Sequence, residues 1–418
     1  MTYDAIIVGA GVAGLTAAAY LTKAGRSVLL IEKQDKCGGL VNSFERNGFI
    51  YDGGIRATEN AGALFPMLKR LGLDIEFVKN KVSMGIEDKV VRVLDKSAVE
   101  AYGELLGEFF PASRADISAI IEDIRKIMGY MDVLYAIDNP LFLDLKNDPK
   151  YVLRTILPWA FKYLLTAPKI ARLREPVERY LARFSANQSL IDLIAQHFFR
   201  QTPTHFALSY FSLYLDYHYP RGGTGTLARE LERFIHEHGG AIVTDTRVVA
   251  VDPDRKCIRD AGGNTYTYRT LIWAADLKGL YSAIDSDALA DTKVRHAVQQ
   301  RRQIVLDKSG GDSVLTLYLA LDLDSRYFAE RASEHFFYTP RREGQSQAGP
   351  IPLGQPREAV EAWLKRFFAL TTYEIACPVM RDADLAPPGK TGLIVSLLFD
   401  YELTRQIEAT GWYEAFKA

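Results

Sequence analysis

Cysteine is scarce in this sequence: Cys37, Cys257 and Cys377 are the only three in 418 residues, far apart and with no Cys-x-x-Cys pair. That excludes a disulfide framework and a thiolate zinc site, and it suits a reducing, cytoplasmic setting. The seven histidines never fall at the His-x-x-x-His spacing of a helical metal centre, so no metal site is expected. Excess charge is also missing. The formal net charge is −1, which leaves no global field to attract nucleic acid. Internal repeats and low-complexity tracts are absent. The one apolar run that resembles a leader or a membrane helix, residues 5–21, carries Gly9, Gly11 and Gly14 near its start and gives way to a β pattern at Ser27. Glycines so placed argue against both readings. The rest is ordinary globular material, 48% hydrophobic and 25% charged, long enough for two or three domains.

The chain is organised around residues 3–39. Ala5 to Val8 reads as a short buried strand, and a helix rich in Ala and Leu follows. Between them stand Gly9, Gly11 and Gly14 at the G-x-G-x-x-G spacing. Each glycine has a separate task in a dinucleotide site: the tight turn, the close approach of pyrophosphate, and the packing of helix on strand. The helix start offers unclaimed N–H groups and the positive end of its dipole to phosphate. A second strand, Ser27 to Ile31, ends at Glu32, where a carboxylate can accept hydrogen bonds from ribose hydroxyls and repel a 2′-phosphate. That points to a dinucleotide other than NADP.

Gly38-Gly39 then allows backbone to approach a ligand closely. Val41 to Arg46 and Phe49 to Tyr51 read as strands joined through Asn47-Gly48, a strong hairpin signal. Asp52-Gly53-Gly54 follows. Ala61 to Leu71 reads as a helix closed by Gly72, and Ile75 to Leu94 as strands turning near Asn80 and Asp88. From Ser97 to about Tyr219 the pattern is helical. Its last part, Phe206 to Tyr217, is dense with aromatics, either core or the wall of an apolar pocket. Pro220 to Gly225 breaks the pattern and opens a helix, Thr226 to His238. Further strands follow at Ala241 to Val243, Arg247 to Val251, Lys256 to Arg259, Thr265 to Tyr268 and Leu271 to Ala274. Val314 to Leu321, His335 to Thr339, Thr371 to Cys377 and Gly392 to Phe399 alternate as strands of another sheet, and Glu358 to Phe368 reads as an amphipathic helix.

These stretches resemble one family. VGAGVAGL…VLLIEKQDKCGGLVNSFERNGFIYDGG is similar to the N-terminal signature of the phytoene desaturase, carotenoid isomerase and retinol saturase group, with amine and protoporphyrinogen oxidases more distant. YPRGGTGTLARELERFIHEHGGAIVTDTRVVAV resembles the group's second motif, and TTYEIACPVMRDADLAPPGKTGLIVSLLFDYE its stretch near the end of the substrate domain. The resemblance implies an α/β fold: an FAD-binding Rossmann-like domain of glutathione-reductase type, and a substrate domain of mixed sheet and helices. The expected boundaries are 1–72 and 220–290 for the first, 73–219 and 291–418 for the second, with a helical insert at 97–219. It implies FAD, with Gly9, Gly11 and Gly14 at the pyrophosphate and Glu32 at the adenosine ribose. Lys33, Gly39 and Leu40 would line the ADP portion and the approach to the ribityl chain, Gly54 and Ile55 would pass near the isoalloxazine, and Val248 would hold adenine by its backbone. Gly222-Gly223 either approaches the flavin or merely turns the chain. The implied reaction adds hydrogen to, or removes it from, carbon–carbon bonds of an apolar isoprenoid or carotenoid-like substrate. Polyene isomerisation, amine or porphyrinogen oxidation, and flavin binding without turnover are the alternatives. Members also carry a second glycine-rich FAD segment near the C-terminus. Nothing after Phe399 matches it, so the sequence reads as a shortened member with weak flavin retention.

No catalytic residue stands out. His197 and His205 fall near the aromatic stripe, His236 and His238 flank the helix end at Gly239, and Arg221 beside the Gly-Gly turn reads as a surface ion pair or a partner for reduced flavin. Residues 150–174 hold Lys150, Arg154, Lys162, Lys169, Arg172 and Arg174 and no acid, interleaved with Leu, Ile, Trp and Phe. A basic amphipathic helix of that kind suits either the surface of the domain or peripheral contact with anionic lipid, with Pro158 and Pro168 interrupting it.

Overall fold

A computed structural model describes residues 2–417. The chain forms two compact units. The first comprises Met1–Arg56, Leu68–Phe77 and Pro220–Ser309; the second comprises Ala57–Met67, Val78–Tyr219 and Gly310–Ala418. This division assigns 57–67 to the second unit and keeps 73–77 and 291–309 with the first, unlike the boundaries read from the sequence.

The first unit is built on a six-stranded sheet in the order Ala241–Val243, Val28–Ile31, Thr2–Val8, Thr265–Trp273, Cys257–Asp260, Val248–Asp252. The strands of its parallel half are buried on both faces, as Ile6, Ile7, Leu29 and Leu30 show, which is why they read as unbroken apolar runs. Helix Val12–Lys23 packs between this sheet and helix Gly225–Glu237. Leu271 to Ala274, expected as a separate strand, instead continues Thr265–Trp273, which pairs parallel with Thr2–Val8 from Thr267 to Trp273. The Asn47-Gly48 hairpin forms as expected: Ser43–Arg46 pairs antiparallel with Phe49–Asp52, and both turn residues have positive φ (54° and 80°), the type I′ geometry that matches strand twist.

In the second unit a six-stranded mixed sheet runs Asp312–Leu321, Thr391–Asp400, Tyr373–Ala376, His335–Thr339, Val82–Ile86, Lys89–Val93. Helices Ala98–Phe109, Arg114–Leu134 and Gln188–Ala195 share its larger core, which holds Val99, Leu106, Ile120, Ile124, Leu190 and Val82. The aromatic stretch is not one helix. It breaks into Thr204–Ala207 and Tyr210–Tyr214, then becomes strand at Tyr217, because Tyr217 and His218 pair with Glu59 and Thr58. Helix Leu64–Leu71 starts three residues later than the sequence suggests and ends at Gly72, whose φ of 83° stops it.

Candidate functional site: a cleft at the carboxyl ends of the parallel strands

Val8 is level with Ile31 on one side and with Trp273 on the other. Three parallel strands therefore end together, and ligands of open α/β sheets bind beyond such ends. A cleft of ≈ 850 Å³ opens there. Gly9 makes the turn beneath it with φ 100°, and a Cβ at that position would lie 2.9 Å from the Ala274 backbone. Gly14 is fixed by packing alone: a Cβ would lie 1.9 Å from the Gly9 carbonyl oxygen. Gly11 is different. Its φ of −68° suits any residue, and a Cβ there would meet nothing within 4 Å. That space lies on the side of the cleft, and Gly11 caps a helix whose first turn receives no hydrogen bond from a side-chain cap. An uncapped helix start beside open space fits a phosphate group.

The Gly38-Gly39 segment closes in from the other side. The Gly38 N–H donates to the Ala10 carbonyl at 2.8 Å, and Gly39 has φ 59° with its Cβ position 3.3 Å from the Gly11 Cα. Glu32 is 8% exposed. Its Oε2 accepts from the Ala10 N–H at 2.7 Å and its Oε1 from the Gln34 N–H at 3.0 Å. The carboxylate thus ties the end of the second strand to the glycine turn, and Glu32 also lines the cleft.

Among the residues expected at a cofactor, Gly9, Gly11, Glu32, Lys33, Gly39, Leu40 and Val248 line the cleft. Gly14 lies beneath it. Gly54 and Ile55 are not in its lining. They sit one layer away, Ile55 N–H donating to the Leu40 carbonyl at 3.0 Å and Gly54 packed so that a Cβ would lie 2.2 Å from the same oxygen. Sequence reasoning missed Trp273, Ala274 and Ala275 in the lining. The signal for them was present in the apolar strand ending in two alanines, but its position beside the first strand follows only from the sheet order. Gly222-Gly223 makes a turn against the hairpin. The buried Asp52 carboxylate accepts from the Thr224 N–H at 2.8 Å and its hydroxyl at 2.9 Å, while a Cβ on Gly223 would lie 2.5 Å from Ser43 Oγ. Cys37 borders the cleft, but burial together with Glu232 and Glu32 pushes its thiol up to about 12, so it stays protonated and inert.

The histidines and Arg221 have plain structural settings. Burial drives His197 down to about 4, leaving it neutral. His205 Nδ1 bonds the Leu173 carbonyl, His238 bonds the Phe234 carbonyl at the helix end, and Arg221 pairs with Glu76 at the surface. In the second unit, rings of Tyr210, Tyr214, Tyr217, His335 and Phe337 meet at 4.5–6.4 Å, edge-on or tilted except for the stacked pair His335–Phe337, a dense aromatic interior. Among the described residues no group of histidine, cysteine and carboxylate side chains could hold a metal.

The family described as flavin-containing amine oxidoreductase matches residues 12–335. The chain is 25% identical to human all-trans-retinol 13,14-reductase over 59% of its own length and 42% of that protein's. It is 24% identical to the lycopene-forming phytoene desaturase of Pantoea ananas, over 76% and 63%. It thus spans less than two thirds of either relative. The crystal structure of an oxidoreductase from Methanosarcina mazei superposes with TM-score 0.62 at 15% identity, covering 99% of this chain and 83% of that one, and shares its fold. With a glycine turn, an uncapped helix start and a strand-end glutamate around one cleft, and a family match over more than half its length, this chain belongs to the flavin-containing amine oxidoreductases, and its cofactor is FAD.

Proposed function

We propose that the chain is an FAD-dependent oxidoreductase that adds hydrogen to, or removes it from, carbon–carbon bonds of an apolar isoprenoid or polyene. The observation that carries this reading is the cleft at Val8, Ile31 and Trp273 in a chain whose relatives include a retinol reductase and a phytoene desaturase. Bound FAD supplies the hydride chemistry. The residues of the cleft bind and orient it. Gly11 and the first turn of helix Val12–Lys23 would face the pyrophosphate, Glu32 the ribose, the Val248 backbone the adenine, and Gly39, Leu40 and Lys33 the path toward the ribityl chain. Gly54 and Ile55 would reach the flavin end from behind Leu40. The aromatic interior of the second unit suits an apolar substrate, for which the protein's contribution is to orient a C–H or C=C and to exclude water. The family description favours a second reading, oxidation of an amine.

One experiment separates these readings. The flavin-loaded chain is mixed anaerobically with retinoids, carotenoid precursors and amines, in oxidised and in reduced form. Flavin absorbance and product mass are followed. A polyene product that has gained or lost a pair of hydrogens supports the proposal. An unchanged product mass with a shifted double-bond geometry would mean isomerisation, bleaching by amines alone would mean amine oxidation, and no change with any ligand would leave a flavin-binding protein without turnover.

A further inference from the structure

The basic segment forms a continuous helical rod with one irregularity. Pro149–Tyr151 is helical, Val152–Ile156 is a π turn, and Leu157–Ala171 is an α-helix. The wide turn explains how Pro158 is accommodated, since its ring would clash with the carbonyl four residues back in a regular helix. Pro168 lies inside the helix without ending it. The inward face is well defined. Trp159 Nε1 donates to the Val133 carbonyl of helix Arg114–Leu134 at 2.8 Å, Trp159 stacks on Tyr163, and Thr166, seven residues on from Trp159, is buried.

The opposite face is apolar and bare. Leu153, Leu157, Phe161, Leu164 and Leu165 are each 53–70% exposed. At about 100° per residue the last four fall within one stripe, with Lys162 and Lys169 along its flank. Lys150, Arg154, Lys162, Arg172 and Arg174 have no ion-pair partner among the described residues, and Lys169 lies over the Tyr130 ring at 5.4 Å. Soluble proteins scatter exposed apolar side chains; five on one short helix, rimmed by cations, mark a docking surface.

We propose that this face docks on an anionic lipid bilayer, with Leu157, Phe161, Leu164 and Leu165 entering the acyl boundary and the flanking cations at the headgroups. Charge selects this occupant. A second copy of the face would bring like cations together, whereas an anionic surface neutralises them and accepts the leucines. No helix among the described residues is long and apolar enough to span a bilayer, so the contact is peripheral.

The test is flotation of the full chain with vesicles of phosphatidylcholine, alone or mixed with phosphatidylserine, at low and high salt. Binding to the mixed vesicles at low salt, weakened by high salt, is expected. Phe161→Ser with Leu164→Ser should reduce it by at least about tenfold. Lys162→Gln with Lys169→Gln should reduce it about fivefold per lysine on mixed vesicles and leave pure phosphatidylcholine unaffected. Phe161, Leu164 and Lys162 lie on the exposed face, while Lys169→Gln also gives up the contact with the Tyr130 ring, so an unchanged unfolding profile serves as the control for folding. Absence of flotation at low salt overturns the proposal. So does a chain whose self-association, rather than its vesicle binding, is abolished by the serine pair, since the occupant would then be a second copy.

Discussion

Glu32 has two duties in this structure, and Glu32→Ala separates them. The carboxylate holds the Ala10 N–H at 2.7 Å and the Gln34 N–H at 3.0 Å without any ligand. Ala10 is fully buried, so truncation leaves its donor with neither carboxylate nor water. An unsatisfied buried donor costs about 1–3 kcal/mol, and loss of a charge-assisted bond lies at the upper end of that range. The Gln34 N–H is only partly buried and recovers most of its loss from solvent. The apoprotein should therefore be destabilised by about 2–3 kcal/mol in the first unit, before flavin enters the comparison. Loss of ribose hydrogen bonds should weaken FAD binding by a further ~1.5–3 kcal/mol, or roughly ten- to a hundredfold. Urea unfolding of apoprotein, read by a probe in the first unit, measures the first term; FAD titration under conditions where the variant is folded measures the second. Apoprotein stability within about 0.5 kcal/mol of wild type would refute the structural duty, and unchanged FAD affinity would refute the ribose contact.

The glycines of the turn should respond in opposite ways. Gly11→Ala places its Cβ in open space at an ordinary φ, so apoprotein stability should change by less than about 0.5 kcal/mol while FAD affinity falls more than about tenfold. Gly14→Ala drives a Cβ into the Gly9 carbonyl and should destabilise the first unit by about 3 kcal/mol whether or not flavin is present, as thermal unfolding would show. Burial and the neighbouring Asp216 raise Glu59 from 4.5 to about 7, so folding favours its protonated form. The contribution is fully present below pH 4.5 and is lost as pH rises through 7, on the order of 3 kcal/mol; Glu59→Gln should flatten that fall in denaturation measured at pH 5 and pH 8, and an unaltered pH slope in the variant would sink the argument.

Local chemistry was legible where it acts locally. The Asn47-Gly48 turn and the glycine cluster could be placed from the sequence because positive φ and close approach restrict residue type at single positions. What escaped depends on partners far along the chain. Tyr217 looks helical by spacing but becomes strand because Glu59, 158 residues earlier, pairs with it; the burial of the Glu59 carboxyl beside Asp216 is likewise announced by no pattern around Glu59. Asp52 gave no sign of anchoring Thr224. Residues 150–174 show the limit most clearly. The sequence reads there as one basic amphipathic helix, on the domain surface or against lipid, and its spacing does not say which apolar residues face inward. Only the docking of Trp159 against helix Arg114–Leu134 decides which face is inside. The leucine face is left in solvent as a consequence of that choice, and so its exposure is a property of the fold that the sequence pattern alone could not assign.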